Sequence, residues 1–426
     1  MADKVITIPY NPHDGQREFH QSQARFRVLA CGRRWGKDRA SINELIRLVW
    51  MLSEERQGEK TLVPPVHAWI VAPNYPLTRQ CWLELKHFTP PEILATKPHE
   101  TEKRMEWKTG AVIECKSADQ YDSLKSVGLD VLLMTEAAMV KDDAWYESLR
   151  PTLSSPGRLG KAILNSTPKG RNWFWQVYRR SFNPEEKEWA GWNFPSWTNP
   201  YIRDIEIEQA RRQMPELLFR QEYGAEFLED GTCVFRNIDA CEKGEYQGPT
   251  PRGIYVMGVD IARRTDFTVI VVMDAVSRHV VGFDRFGEMS FVLQKERIKA
   301  LAGKYRATVW LDSTGMGEPI FDELAGEGLK IIPFRFNNAT KQAVIDNLSI
   351  GFEQEQLSFP PNDLLKNELK AYESQALPSG RFTYSAPHGG FDDCVIGLGL
   401  AYWAATQYQP TFMYIDDPIV PGAFIW

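Results

Sequence analysis

The sequence predicts an α/β protein of two domains, joined by a helical segment and ending in a short tail. Three observations predict it. The chain has 426 residues, enough for two domains of ordinary size. Residues 24–182 alternate short apolar runs with polar helical stretches, the pattern of βα units on a largely parallel sheet. A second run of strands and helices begins at Gly253, after the turn-rich connector EKGEYQGPTPR (242–252).

Taken in order, the candidate strands of the first domain are Phe26–Cys31, Ala68–Ala72, Ala111–Cys115, Val131–Thr135 and Ala162–Asn165. Residues 183–232 change character, being rich in Trp, Glu, Arg and Pro, with an amphipathic helical region at 203–222. They read as a lid or linker. The second domain opens with the strand Gly253–Asp260, then the pair Thr268–Asp274 and His279–Phe286, a helix over about 290–303 and the buried strand Thr308–Asp312. The expected boundaries are 1–182, a helical lid or linker at 183–240, a second domain at 241–410 and a tail at 411–426.

Composition narrows the function classes. A hydrophobic content of 43% with 25% charged residues is that of a globular protein and excludes a disordered chain. No apolar stretch reaches about eighteen residues, and the N-terminus MADKVITIPYNPHDGQ has no apolar core of the signal-peptide type. The expectation is a cytoplasmic protein with no membrane partner. Six cysteines are scattered without a C-x-x-C pair, so reduced and mostly buried thiols are expected. The net charge of −6 argues against broad non-specific DNA binding by one chain. It leaves room for a local basic groove, or for a ring of subunits that each contribute a few cations.

The strand FRVLAC (26–31) runs into GRRWGKD (32–38) and then a helix beginning at Lys37. Strand, glycine-containing loop and helix form the architecture of a phosphate-binding loop, in which backbone N–H groups and a lysine meet the phosphates. The candidates are Cys31, Gly32, Arg33, Arg34, Trp35, Gly36, Lys37 and Asp38. Two departures stand out: Cys31 takes the place of the pattern's first glycine, and Asp38 that of the usual Ser or Thr. The apolar run VLLMTE (131–136) ends in Thr135-Glu136 where Asp-Glu is usual, with Asp on Mg²⁺ and Glu orienting water. One reading is an exchange, in which the carboxylate and the hydroxyl of the metal shell have changed places. The other is a decayed site. Glu136 is then the catalytic base or the residue that positions water. In AILNSTPKG (162–170), Ser166 and Thr167 are candidate γ-phosphate sensors, the alternative being an ordinary turn. Gln16, in HDGQREF, is a candidate adenine contact or a plain surface glutamine.

Carboxylates mark a second site. Asp260 ends an apolar strand in GVDIARRTDF, Asp266 opens the next strand, Asp312 ends a buried strand in VWLDSTGMGEP, and Asp392-Asp393 start an apolar helix. Cutting a phosphodiester with two Mg²⁺ or Mn²⁺ ions about 4 Å apart needs three or four carboxylates from separate elements. Two strand-end aspartates and a helix-start aspartate supply that in ribonuclease-H-like order. Each alone reads equally as a turn former or helix cap. Asp266 is a weaker candidate, and Lys341 a candidate DNA-phosphate contact or a surface lysine.

Together these motifs resemble the terminase large subunits of tailed bacteriophages. The resemblance runs in order through GRRWGK (32–37), VAPNYPLTRQ (71–80), MTEAAM (134–139), NSTPKGRNWFW (165–175), QEYGAEF (221–227) and the carboxylate motifs. It implies an N-terminal P-loop ATPase domain of the additional-strand, catalytic-glutamate class and a C-terminal ribonuclease-H-like nuclease domain. It also implies phosphate binding by Lys37, catalysis by Glu136, coupling through Ser166-Thr167-Pro168 and adenine contact by Gln16. Metal binding falls to Asp260, Asp312, and Asp392 or Asp393. An arginine near the γ-phosphate is also implied; Arg33 and Arg34 are candidates within the chain, and Lys125 of KSVG (125–128) is a candidate from a neighbouring subunit, or else a solvated lysine. The implied cofactors are ATP with Mg²⁺ at the first site and two Mg²⁺ or Mn²⁺ at the second. The implied partners are double-stranded DNA, a small terminase subunit, a portal ring on a procapsid and further copies of the chain. The implied place is the bacterial host cytoplasm and, transiently, the procapsid. A helicase-nuclease of repair, or a nucleotide-binding scaffold with a decayed ATPase, are the alternatives. The aromatic tail (Phe412, Tyr414, Phe424, Trp426) is a candidate docking segment or a loose terminus.

Overall fold

Strand β1 (Phe26–Cys31) is buried along its whole length because both faces of its sheet are covered. Leu29 and Cys31 join one apolar cluster with Ile42, Leu45 and Val49 of the helix Lys37–Gln57. Phe26, Val28 and Ala30 join another with Trp145, Trp173 and Phe174. The alternation follows the two-residue period of a strand. Six more strands complete the sheet: β2 (His67–Ala72), β3 (Arg104–Glu106), β4 (Val112–Ser117), β5 (Val131–Met134), β6 (Lys161–Ser166) and β7 (Trp189–Phe194). Their order is β3-β4-β2-β5-β6-β1-β7, parallel throughout except for the edge strand β3.

The computed structural model describes residues 8–57, 64–125, 127–229, 232–261, 267–287, 289–314, 317–376, 382–387 and 390–408. Contacts divide the chain into two units, Met1–Thr232 with Glu373–Tyr384, and Cys233–Tyr372 with Ser385–Trp426. Asp266 and the aromatic tail lie outside the described residues. All six cysteines are free thiols, five of them buried. Among the described residues no helix is long and apolar enough to cross a membrane.

The five strands expected in the first domain form, with ends shifted by one or two residues. Residues 183–232 need a correction. They hold the helices Asp204–Gln213 and Glu216–Glu222, as the amphipathic pattern suggests. They also supply β7, which pairs with β1 from Phe26↔Trp189 to Cys31↔Phe194. The run WAGWNF lacks a clean apolar alternation, and it becomes a strand because the free edge of β1 is there to pair with it.

In the second unit the strands Tyr255–Asp260, Thr268–Asp274, Val280–Phe286, Thr308–Asp312 and Ile331–Phe334 form one sheet. The first three run antiparallel, while Thr308–Asp312 and Ile331–Phe334 add parallel strands on the other side of Tyr255–Asp260. The helix Asp393–Gln407 packs against Tyr255–Asp260. A Cβ at Gly258 would lie 2.3 Å from the Gly397 carbonyl oxygen and 2.4 Å from the Ala401 nitrogen, so this close approach requires glycine.

One charged group in the first core is held with care. Glu44 has no exposed side-chain surface and accepts from Arg27 Nη1 at 2.5 Å, His20 Nδ1 at 2.7 Å and Arg47 Nη2 at 2.6 Å. Arg27 thereby stays inside an otherwise apolar strand. Burial pushes the Glu44 carboxyl up, but hydrogen bonds from His20 and Arg47 and the charge of Arg27 outweigh it, bringing it from the ordinary 4.5 to about 2. A carboxyl lowered on folding adds stability above its unfolded value and loses it as pH falls through its folded value. Glu44→Ala is expected to destabilise the first unit by about 3–5 kcal/mol, by leaving Arg27 buried without its partner. The thermal midpoint gap between the parent and Glu44→Gln should close as pH falls from 4.5 to about 2; a gap that does not depend on pH would refute the assignment.

Candidate functional sites

In the first unit, strand register gathers the candidates. Ala30 stands opposite Ser166 and Met134 opposite Leu164, so the loops after β1, β5 and β6 leave the sheet side by side. Lys37, nearly buried at the start of its helix, places Nζ 2.8 Å from Glu136 Oε1 and 3.4 Å from Thr167 Oγ1. Burial pulls the Lys37 ammonium down, but Glu136 and Asp38 outweigh it and hold it above its ordinary range. Burial likewise pushes the Glu136 carboxyl up, and Lys37 outweighs it and holds it low. The two are therefore a committed ion pair. Glu136 has φ 47° and ψ 43°, a left-handed conformation that costs a non-glycine residue about 1–3 kcal/mol. Ser166 Oγ lies 3.3 Å from Glu136 Oε2 and accepts from the Ala138 amide at 3.2 Å.

Asp38 and Thr135, the two departures from the usual pattern, meet directly. Thr135 Oγ1 donates to Asp38 Oδ1 at 2.6 Å, across 97 residues of sequence. Cys31 is buried, and burial raises its thiol well above the usual range, which keeps it protonated behind the loop.

The loop itself is braced. A Cβ at Gly32 would stand 2.4 Å from both Ser196 Oγ and the Tyr223 carbonyl oxygen. Trp35 stacks on Phe194 at 4.6 Å and donates to Thr198 Oγ1 at 2.9 Å. Arg34, exposed, turns at φ 61°, and its carbonyl accepts from Asn199 Nδ2 at 2.9 Å. Gln16 is buried, not a surface side chain. It accepts from the His13 amide at 3.2 Å and donates to the Gly36 carbonyl at 3.2 Å, tying the helix Asp14–Gln21 to the loop. Lys125 pairs with the surface carboxylates of Asp122 at 2.7 Å and Glu147 at 3.8 Å. Two residues that the sequence reading missed complete the picture, Glu222 and Lys169. Glu222 accepts from Arg33 and from Lys169 beside the loop. Nothing in the local pattern QEYGAEF singles out Glu222, because its partners come from other segments.

In the second unit, parallel register sets Leu311 opposite Val259, which brings Asp312 and Asp260 to the same end of the sheet. The close helix over Gly258 brings Asp392 and Asp393 to them. All four aspartates, with Lys341 and Thr314, line one cavity of about 360 Å³. Asp392 precedes the helix Asp393–Gln407 but makes no capping bond with its side chain, and accepts instead from Lys341 Nζ at 3.0 Å. Asp393 accepts from the Phe267 amide at 3.3 Å, and Asp312 from the Thr314 amide at 2.8 Å. Burial raises the Asp260 carboxyl well above its usual range, reinforced by the charges of Asp312, Asp393 and Asp392. Among the described residues no three or more His, Cys, Asp or Glu side chains stand ready-made as a metal-ligand group. The donors nonetheless fit a divalent cation by their chemistry: four carboxylates share one cavity, with the Lys341 ammonium as the cation among its lining side chains.

Comparison with known proteins agrees with this geometry. The terminase RNaseH-like domain family matches residues 257–405. The terminase large subunit of Thermus virus P23-45 is 29% identical, over 96% of this chain and 90% of its own length. The chain is thus similar to phage terminase large subunits along nearly its whole length. The terminase large subunit of Escherichia phage T5 is 35% identical over 43% of this chain and 42% of its own length. A solved large terminase from a thermophilic bacteriophage shares the fold, with a TM-score of 0.51 at 14% identity, covering 92% of this chain and 98% of that one. As in the expected additional-strand class, β6 stands between the loop strand β1 and β5, which leads to Glu136.

The raised Asp260 carboxyl carries a prediction about stability. A carboxyl raised on folding costs stability once pH exceeds its unfolded value. Without divalent metal at neutral pH, Asp260→Asn is expected to raise the thermal midpoint of the second unit. Mn²⁺ should raise the midpoint of the parent much more than that of the variant. Equal metal shifts in both proteins would remove Asp260 from the cation site.

Proposed function

We propose that this chain is a viral DNA-packaging motor subunit. It hydrolyses ATP in the first unit to move double-stranded DNA into a procapsid, and cuts that DNA in the second. The contact between Thr135 and Asp38 beside the Lys37–Glu136 pair carries the reading of the first unit. It supports an exchange of metal-shell groups, since one carboxylate and one hydroxyl still face each other where Mg²⁺ is held in such sites. Decay of two separate positions gives no reason for the carboxylate lost at one to appear at the other. Lys37 binds the β- and γ-phosphates, and Glu136 orients the attacking water once the lysine turns to phosphate. Ser166 and Thr167 stand next to Glu136 and sense the γ-phosphate, and Gln16 contacts the adenine by exchanging its bonds to His13 and Gly36 for the base.

Asp260, Asp312 and Asp393, with Asp392 tethered by Lys341, would hold the divalent ions of the second unit. Such ions would supply charge neutralisation for cleavage of the phosphodiester. Lys341 contributes a phosphate contact. The partners proposed are DNA, a small terminase subunit, a portal ring and further copies of the chain, met in the host cytoplasm and on the procapsid.

Glu136→Gln is expected to lower Mg²⁺-dependent ATP turnover at least about a hundredfold. Asp38→Thr alone should abolish turnover, because it leaves two hydroxyls and no carboxylate. Adding Thr135→Asp to it should restore activity. Phosphate release reads both, and full activity in the single Asp38→Thr variant sinks the exchange. Independently, Mn²⁺-dependent plasmid cleavage should be lost in Asp260→Asn; undiminished cutting there would dismiss the second site.

A further inference from the structure

An ion pair stands behind the carboxylates of the second unit without lining their cavity. Arg285, on the strand Val280–Phe286, places Nη2 3.0 Å from Glu368 Oε1, on the helix Asp363–Ala371. Their side chains are only 11% and 10% exposed. Taking two charges out of water is costly, and apolar residues of similar volume often stabilise a fold as well as such a pair. Stability alone therefore does not account for it.

Two connections lead from the pair to Asp393. Glu368 Oε2 accepts from the Cys394 amide at 2.9 Å. Cys394 follows Asp393 in the first turn of the helix Asp393–Gln407, where amides lack partners within the helix, and the Asp392 side chain does not cap them. A carboxylate at that position also meets the positive end of the helix dipole. On the other side, the Arg285 guanidinium lies 4.0 Å from the centre of the Phe267 ring and 5.7 Å from that of Phe391. The amide of the same Phe267 donates to Asp393 Oδ2. Strand register agrees: Arg285 stands opposite Val269, and Val269 opposite Asp260, so one row across three strands runs from the pair to the cavity. Asp393 is thus gripped twice, through its own carboxylate and through the amide of the next residue.

We infer that Arg285 and Glu368 are positioning residues for the divalent cation, fixing the start of the helix Asp393–Gln407 so that Asp393 stays in the cavity with Asp260 and Asp312. Four carboxylates sharing one cavity repel each other, and a ligand held only by its own chain would turn away. Arg285 orients Glu368, and Glu368 holds the helix end. The inference rests on reading the four-aspartate cavity as the cation site, and deepens it by naming what holds one ligand in place.

Mn²⁺ binding to the full chain without nucleotide, measured by calorimetry well below the melting temperature, tests it independently of DNA cleavage. Glu368→Gln leaves one side-chain oxygen for two partners and should weaken Mn²⁺ at least about tenfold. Arg285→Leu should weaken it too, because Glu368 then loses the group that orients it. The double variant leaves no buried charge unpaired, so its fold is spared. Its loss of affinity should be no greater than that of the worse single variant, as for directly coupled residues. A purely structural pair would change the melting temperature and leave Mn²⁺ affinity at the parent value. That result, or losses that simply add in the double variant, overturns the positioning role while leaving the cation site intact. A parent chain that binds Mn²⁺ no better than Asp260→Asn brings down the site reading and the positioning role with it.

Discussion

The pairing of β6 between β1 and β5 decides where every charged group of the first unit stands. Because those strands are parallel, their C-terminal loops emerge together, and three distant segments bring Lys37, Glu136 and Ser166 within hydrogen-bonding reach. Parallel strands are stable only when both faces of the sheet are buried. The two apolar clusters on either side of β1 meet that condition. The site thus depends on a sheet whose stability comes from the apolar side chains packed on its two faces.

The two sites solve opposite electrostatic problems. In the first, buried charges are neutralised within the protein: Lys37 by Glu136, Glu222 by Lys169 and Arg33, and Glu44 by Arg27 and Arg47. Such pairs are rigid, and they give a ligand something specific to displace. In the second, four carboxylates share a cavity, and burial with mutual repulsion leaves Asp260 reluctant to ionise. Either a proton on Asp260 or a bound cation relieves that strain, which is why the same observation speaks for metal and against intrinsic stability.

Much of this was legible in the chain itself. The loop GRRWGKD and the strand before it announce their chemistry locally, since glycine, lysine and an apolar run are read in sequence. The carboxylates at strand ends and at a helix start were visible for the same reason. Strand β7 was not, because WAGWNF becomes a strand only by pairing with an edge that the local pattern does not reveal. Glu222 was hidden more deeply. A glutamate in an amphipathic helix is ordinarily solvated, and its burial against Arg33 and Lys169 belongs to three segments at once.

Local chemistry determined which residue types were present at each turn, and so the α/β class, the glycine- and lysine-bearing loop after β1 and the aspartate series. The tertiary structure alone decided which of them meet. It placed Thr135 on Asp38, turned Asp392 toward Lys341, and drew Glu222 against Arg33 of the loop after β1. The reason is physical: backbone propensity acts over a few neighbouring residues, whereas charge pairing acts through space and is set by strand register and helix packing.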